Sequence, residues 1–356
     1  MSMLISSRDN SSPTLAEPLN IEIETTDHTK LAGIFYPCFD CSSAVLICSA
    51  TGFGQKSYKD FAQWLNKEGF AVLTFDYRGT GDSLFGMHIK NSRAKKHQWG
   101  QLDMAAALSY LDRRHPNIPL QVVGHNGAGI LMGLMPNHSL ISSAVSVGES
   151  TLYVPQMAGI AQFSANLFFN VYIPFCLSLF KYVPLRCFGW ELDIPAGVAK
   201  QWTSWSLQPG HIRNSFGIDI KKHFYRNFQS PILVLSTGKD PVAGKTGIED
   251  MSDLYRSARI EYKKVVPKNY GFKKIGHLDF FQPKYEKLWP IISDWLKAPE
   301  RQTIKTFVLK MQPPSEVAVP PTHQPPRKNA YAGTRTRLNA KHAVFIGADN
   351  KKKVKV

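Results

Sequence analysis

The chain has 356 residues, 43% hydrophobic and 12% aromatic, with a formal net charge of +16. That content excludes a disordered or fibrous polypeptide and is enough for one large core or two modest ones. Residues 301–356 hold 12 Lys/Arg against 2 Asp/Glu, leaving 31 against 25 elsewhere, so the basicity belongs to a tail and does not mark the body as a nucleic-acid surface.

Residues 1–18 are Ser-rich, carry both charge signs and lack the apolar core of a signal peptide, which predicts a flexible segment and a cytoplasmic protein. Residues 19–24 alternate apolar and polar side chains as a half-buried strand does. Strands are predicted next at 31–36 and 44–48, the second apolar enough to be central. A helix over 57–68 places Phe61, Trp64 and Leu65 on one face. A buried strand over 71–75 runs into the turn-rich residues 76–83, where Arg78 and Asp82 read as loop-ordering charges. A helix through Met104, Leu108 and Leu111 follows, then strands at 120–123 and 143–147.

Residues 150–180 contain no charge, a run long enough to span a bilayer. Gln156, Gln162, Asn166, Asn170, Pro155 and Pro174 interrupt it, so a lid is predicted and no membrane span. Strands resume at 232–235 and 260–266. A last helix carries Leu288, Ile291, Ile292, Trp295 and Leu296, with Pro290 interrupting its early turns. The predicted organisation is a core from 19–149 and 229–305, a helical cap over 150–228, and a Pro-rich, then basic, disordered tail over 306–356. Strands alternating with helices predict an α/β class, a mostly parallel sheet flanked by helices. No internal repeat is found, and nothing in the sequence specifies an oligomeric state.

The five cysteines include Cys38-x-x-Cys41, which has zinc or redox spacing but no second pair or nearby histidine to complete a site. Free thiols in a reducing compartment are predicted, with no metal and no other cofactor.

Gly124-His125-Asn126-Gly127-Ala128-Gly129 follows an apolar run and opens a small-residue helix. That is the strand–turn–helix setting of the G-x-S-x-G nucleophile elbow, with Asn126 where the attacking serine would stand. A carboxamide has no ionisable proton and cannot become an alkoxide-like nucleophile. The spacing is not the G-x-G-x-x-G of dinucleotide folds. Asparagine does tolerate the positive-φ backbone of an elbow. Asp240 follows the strand at 232–235, and His277 follows the next, both at the carboxyl ends of strands, where open α/β sheets bind ligands. The order nucleophile position, acid, histidine is that of the α/β-hydrolase arrangement.

On these residues the chain resembles the α/β-hydrolase superfamily, specifically a bacterial group of predicted serine hydrolases akin to serine aminopeptidases and lysophospholipases. The matching stretches are Ala50-Thr51-Gly52, residues 69–83 (G-F-A-V-L-T-F-D-Y-R-G-T-G-D-S), Trp99 with Asp103, residues 195–205 (P-A-G-V-A-K-Q-W-T-S-W) and residues 276–281 (G-H-L-D-F-F). The resemblance implies the α/β-hydrolase fold with an inserted helical cap. It also implies Asp240 as acid, His277 as base, and the backbone N–H groups of Phe53 and Gly127 as oxyanion donors. The group's G-H-S-x-G-G reads G-H-N-G-A-G here, so the catalytic serine is not carried over.

Two functions follow as expectations. One is a degenerate esterase- or peptidase-type protein that binds a small apolar acyl, ester or peptide-like ligand, with Phe163, Phe168, Phe169, Tyr172, Phe175 and Phe180 as pocket wall. The other is a noncanonical hydrolase in which His277, oriented by Asp240, acts as general base on water or substrate. The basic tail attracts anions by charge alone, so no specific nucleic-acid partner is expected.

Overall fold

The strand sequences differ by position. Ser43–Cys48 (β3), Phe70–Phe75 (β4), Leu120–His125 (β5) and Ile141–Val147 (β6) are buried at every residue, as strands covered on both faces must be. Leu19–Glu24 (β1) alternates and stays largely exposed, as an edge strand does. These come from a computed structural model that describes residues 16–148, 153–157, 159–237, 251–276 and 279–298.

With Lys30–Tyr36 (β2), Ile232–Thr237 (β9) and Ile260–Val265 (β10), they form an eight-stranded sheet in the order β1-β2-β4-β3-β5-β6-β9-β10. β2 runs antiparallel to β1 and to β4, and every other pairing is parallel. Two-residue strands Tyr182–Val183 (β7) and Ile194–Pro195 (β8) pair separately between β6 and β9.

Each face of the sheet buries its own helices. Leu46, Leu73 and Val122 pack with Met104, Leu108 and Leu111, the last two on helix Ala105–Arg114. Val45, Val72 and Val123 pack with Phe61 and Leu65 of helix Lys59–Lys67 (α1), and with Ile292, Trp295 and Leu296 of helix Pro290–Lys297. We call Ala105–Arg114 α2. Buried Gln121 on β5 ties the layers together by accepting from Ser43 Oγ at 2.9 Å and donating to Leu296 O at 2.7 Å.

Two predicted helices begin differently. The stretch before α1 is a 3-10 turn, Gln55–Tyr58. Pro290 does not interrupt the last helix but starts it, after a 3-10 segment Pro283–Leu288. The first helical position needs no N–H donor and matches the fixed φ of proline. Helix Ala128–Leu131 follows β5, and between β6 and β9 the largest elements are a continuous helix Gly159–Leu179 and helix Ala196–Leu207. In chain order Ala128–Leu131 is α3, Gly159–Leu179 α4, Ala196–Leu207 α5 and Pro290–Lys297 α6. Among the described residues α4 alone is long and apolar enough to cross a membrane.

Candidate functional site

β5 ends at the sharp turn that the glycines of the motif require. Asn126 has φ +54, its N–H donates to Val147 O at 2.8 Å, and its carbonyl accepts from Gly129 N–H at 3.2 Å. A Cβ at Gly124 would sit 2.9 Å from Gly129 N, backbone that cannot yield without moving the helix. α3 is one turn long, so its carbonyls need outside partners. Tyr225 Oη donates to Ile130 O at 2.8 Å, and Tyr255 Oη to Gly129 O at 2.7 Å.

The loop after β3 is tied to this turn through one tyrosine. Tyr58 Oη accepts the Ala50 N–H at 2.8 Å and shares a 2.7 Å hydrogen bond with His125 Nδ1. Burial pushes the Tyr58 phenol well above its usual range, so it stays protonated. The same loop is locked from the cap side. Gly54 N–H donates to Glu191 Oε2 at 2.9 Å, and Leu192 N–H to Gly52 O at 2.9 Å.

Both N–H groups expected to hold an oxyanion have partners in this structure. Phe53 N–H donates to Ala50 O at 3.1 Å, and Gly127 N–H donates to Oδ1 of Asn126 itself at 2.6 Å. Asp240 and His277 lie outside the described residues. Among the described residues no group of three or more His, Cys, Asp or Glu side chains has metal-binding geometry, and Cys38, Cys41, Cys48, Cys176 and Cys187 are free. Burial and the adjacent Cys41 raise the Cys38 thiol to about 11, which keeps it unreactive at neutral pH.

Above Asn126 lies a cavity of about 680 Å³ walled by aromatic side chains. Phe168, Phe169, Tyr172 and Phe175 line it as expected from the charge-free run, whereas Phe163 and Phe180 do not and instead face solvent. The helical period decides this. Phe169, Ile173 and Cys176 turn inward to the core, and Phe163 falls on the opposite side. Trp190 and Trp202 complete the wall from the other arm of the cap.

Lys96, which the sequence reading passed over, is buried beside the elbow. Its Nζ donates to Thr51 Oγ1 at 2.5 Å and sits 5.1 Å from the Trp202 ring centre and 5.8 Å from that of Trp99. A Cβ at Gly127 would come within 3.7 Å of that Nζ. Only its distance in sequence hid it; a buried lysine between two tryptophans has no local motif.

Arg78 and Asp103, matched earlier by resemblance, form a buried pair. Arg78 Nε meets Asp103 Oδ1 at 2.6 Å, Arg78 N–H donates to Asp103 Oδ2 at 2.9 Å, and Nη1 reaches Asp27 Oδ2 at 2.7 Å. Burial raises the Asp103 carboxyl against the pull of Arg78, while Arg78 holds Asp27 well below the usual carboxylate range. Next to this pair residues Trp99–Met104 wind as a π-helix. Asp82 instead pairs at the surface with Lys56, at 2.9 Å.

Residues 41–178, from the loop before β3 to the end of the cap helix, match the family described as serine aminopeptidase, S33. Compared with curated protein sequences, the chain finds no match. Among solved structures, esterase Pf2001 of Pyrococcus furiosus superposes with a TM-score of 0.51 at 14% identity, covering 83% of this chain and 96% of that one. A highly thermostable carboxyl esterase of Bacillus coagulans gives 0.52 at 12%, covering 78% and 99%. The α/β-hydrolase GrgF from Penicillium sp. sh18 gives 0.52 at 16%, covering 79% and 98%.

The chain has the α/β-hydrolase fold. Its mostly parallel sheet, flanked by helices, is the architecture predicted from the alternation of strands and helices. In this fold the turn after β5 stands at the base of the aromatic cavity, at the carboxyl edge of the sheet where ligands of such folds bind.

Proposed function

We propose that this is an esterase- or peptidase-type α/β-hydrolase, in the reducing interior of a cell, that binds an apolar acyl, ester or peptide-like ligand without ordinary turnover. The observation that carries the reading is Asn126. It stands at φ +54 on the strand-to-helix turn, lines the aromatic cavity, and covers the Gly127 N–H with its own Oδ1. A carboxamide there supplies no attacking oxygen, and its Oδ1 takes a donor that a tetrahedral intermediate would need. Loss of a triad serine costs about a millionfold in turnover, leaving on the order of 10³–10⁴ over water from binding and the oxyanion hole. The cavity and its rings keep the capacity to hold an acyl chain by apolar burial.

Hydrolysis of a short-to-long p-nitrophenyl ester series tests this, with wild type, Asn126→Ser and His277→Ala side by side. The expected result is a wild type no faster than His277→Ala, with turnover appearing in Asn126→Ser. Wild-type turnover abolished by His277→Ala would overturn the reading in favour of a His277/Asp240 general-base enzyme.

A further inference from the structure

Helix α4 buries one side and leaves the other without a protein partner among the described residues. Ile160, Phe163, Leu167, Val171, Phe175 and Leu179 form a row along its outer face, and all are exposed, Ile160 by 86% and Phe163 by 71%. Phe188 extends the row beyond the helix. Patches on ordinary monomers run to about 300–600 Å², and large ones mark interaction sites. The amide side chains of the helix bond within it and to the turn before it. Gln162 Nε2 donates to Pro155 O at 3.1 Å, Asn166 Nδ2 to Gln162 O at 3.1 Å, and Asn170 Nδ2 to Asn166 Oδ1 at 3.4 Å.

Two features identify the occupant. The charges on this part of the chain have one sign: between Tyr153 and Trp190 the charged residues are Lys181 and Arg186, both exposed, Arg186 lying 3.9 Å from Asp193. Moreover, Leu167, Val171, Phe175 and Phe188 belong both to the exposed row and to the wall of the cavity, so the cavity opens on this face. A second copy seated there would stop that mouth. A lipid leaflet would feed it.

We propose that this face docks on an anionic lipid surface, with α4 lying in the boundary between headgroups and acyl chains and Lys181 and Arg186 at the phosphates. The helix lies on the bilayer and does not cross it, because Phe169, Ile173 and Cys176 on its inner side are packed into the domain core. Apolar burial holds such a helix, and basic side chains at its end add attraction to anionic leaflets. That the cavity draws its ligand from the bilayer rests on the apolar-ligand reading above; the docking itself does not.

The test uses the full chain and two readouts. One is sedimentation with phosphatidylcholine vesicles, with and without phosphatidylglycerol. The other, in lipid-free buffer, is quenching of Trp190 and Trp202 by a bromine-labelled acyl ester. Wild type is expected to sediment with the anionic vesicles, less so as salt rises. The double variant Ile160→Glu, Phe163→Glu, neither residue of which lines the cavity, is expected to lower partitioning at least about a hundredfold and keep the quench. Lys181→Glu with Arg186→Glu is expected to weaken only the binding to anionic vesicles, severalfold. Sedimentation unchanged in the Ile160/Phe163 variant assigns lipid binding to another part of the chain and overturns the proposal. So does a wild type that ignores vesicles, whether monomeric or a dimer that this variant splits. A wild type that sediments but shows no quench supports the docking face and removes the ligand reading instead.

Discussion

The sheet and the cap meet at one cavity, and the two sides present different contacts to it. Around the sheet, buried polar groups meet in directed, short contacts: Arg78 with Asp103 and Asp27, Gln121 with Ser43 and Leu296, Tyr58 with Ala50 and His125. In the cap the wall of the cavity is built from ring contacts. Trp202 lies 5.1 Å from Phe169, 5.8 Å from Phe168 and 6.0 Å from Trp190, centre to centre, and Tyr172 lies 4.9 Å from Phe188. Directed bonds fix a backbone turn in one place. Ring contacts tolerate several packings at similar energy, which suits a wall that must fit a ligand. The rigid half therefore holds Asn126, and on the ligand-binding function proposed above the adaptable half would set selectivity.

The largest expected effect comes from breaking the rigid half. Asp103→Ala leaves the Arg78 guanidinium, itself almost fully buried, without its inner partner. Removing one member of a buried pair costs about 3–5 kcal/mol. In a domain of this size a fall in Tm on the order of 10 °C follows, read by circular dichroism. Asp27 still holds the outer edge of Arg78, so Asp103→Asn, which keeps one acceptor, is expected to recover part of the loss. A change under about 1 kcal/mol in Asp103→Ala would show that this network does not organise the sheet's edge.

The same division explains what was legible in the sequence. The central strands were readable because burial on both faces demands unbroken apolar runs, as in β3 and β4. The elbow was readable because Gly124 answers a backbone approach of 2.9 Å, a local demand with a local signature. The π-turn at Trp99–Met104 had no such signature; it sits where Asp103 reaches back to Arg78, a contact made only in three dimensions. Aromatic composition pointed to the cavity wall but could not say which face each ring takes, so Phe163 and Phe180 were misplaced. Lys96 comes from a segment far in sequence from Trp190 and Trp202, and they meet only once the cap closes over the sheet.

A smaller effect lies where the two halves join. His211, at φ +48 against Trp205, is buried, and burial with Lys96 and Arg213 nearby holds its pKa down to about 3, from 6.5. The folded state therefore keeps this imidazole neutral while the unfolded chain takes a proton below pH 6.5. Its contribution is intact above pH 6.5 and is lost as pH falls toward 3. Between pH 6.5 and 5 the loss amounts to about 2 kcal/mol. Tm measured from pH 8 to 5 should fall more steeply in wild type than in His211→Phe. The slope is the readout, because a phenylalanine at positive φ lowers Tm at every pH. Equal slopes would mean that His211 gains a proton while folded. Burial lowers the pKa of His97 as well, so some slope remains in the variant.

The smallest expected change in stability is also the sharpest test of the comparison. Gly52 has φ +84, and a Cβ there would come within 2.2 Å of the Trp190 ring. An alanine in this conformation costs about 1 kcal/mol of backbone strain, a modest fall in Tm. The ring is the movable partner, so it tilts and the sheet stays as it is. Since Trp190 packs at an angle against Phe53, 5.8 Å between ring centres, and lines the cavity, that tilt changes the cavity wall while Asn126, fixed by Val147 and Gly129, keeps its place. In Gly52→Ala, quenching by the acyl ester should weaken about tenfold, the cost of one poorly fitted ring contact. If affinity holds while Tm falls, the cap adjusts without Trp190, and the wall is set by Phe168, Phe169 and Trp202 alone. If Tm drops as far as in Asp103→Ala, the loop after β3 belongs to the rigid half, and the boundary between the halves runs through Trp190 instead of through Gly52.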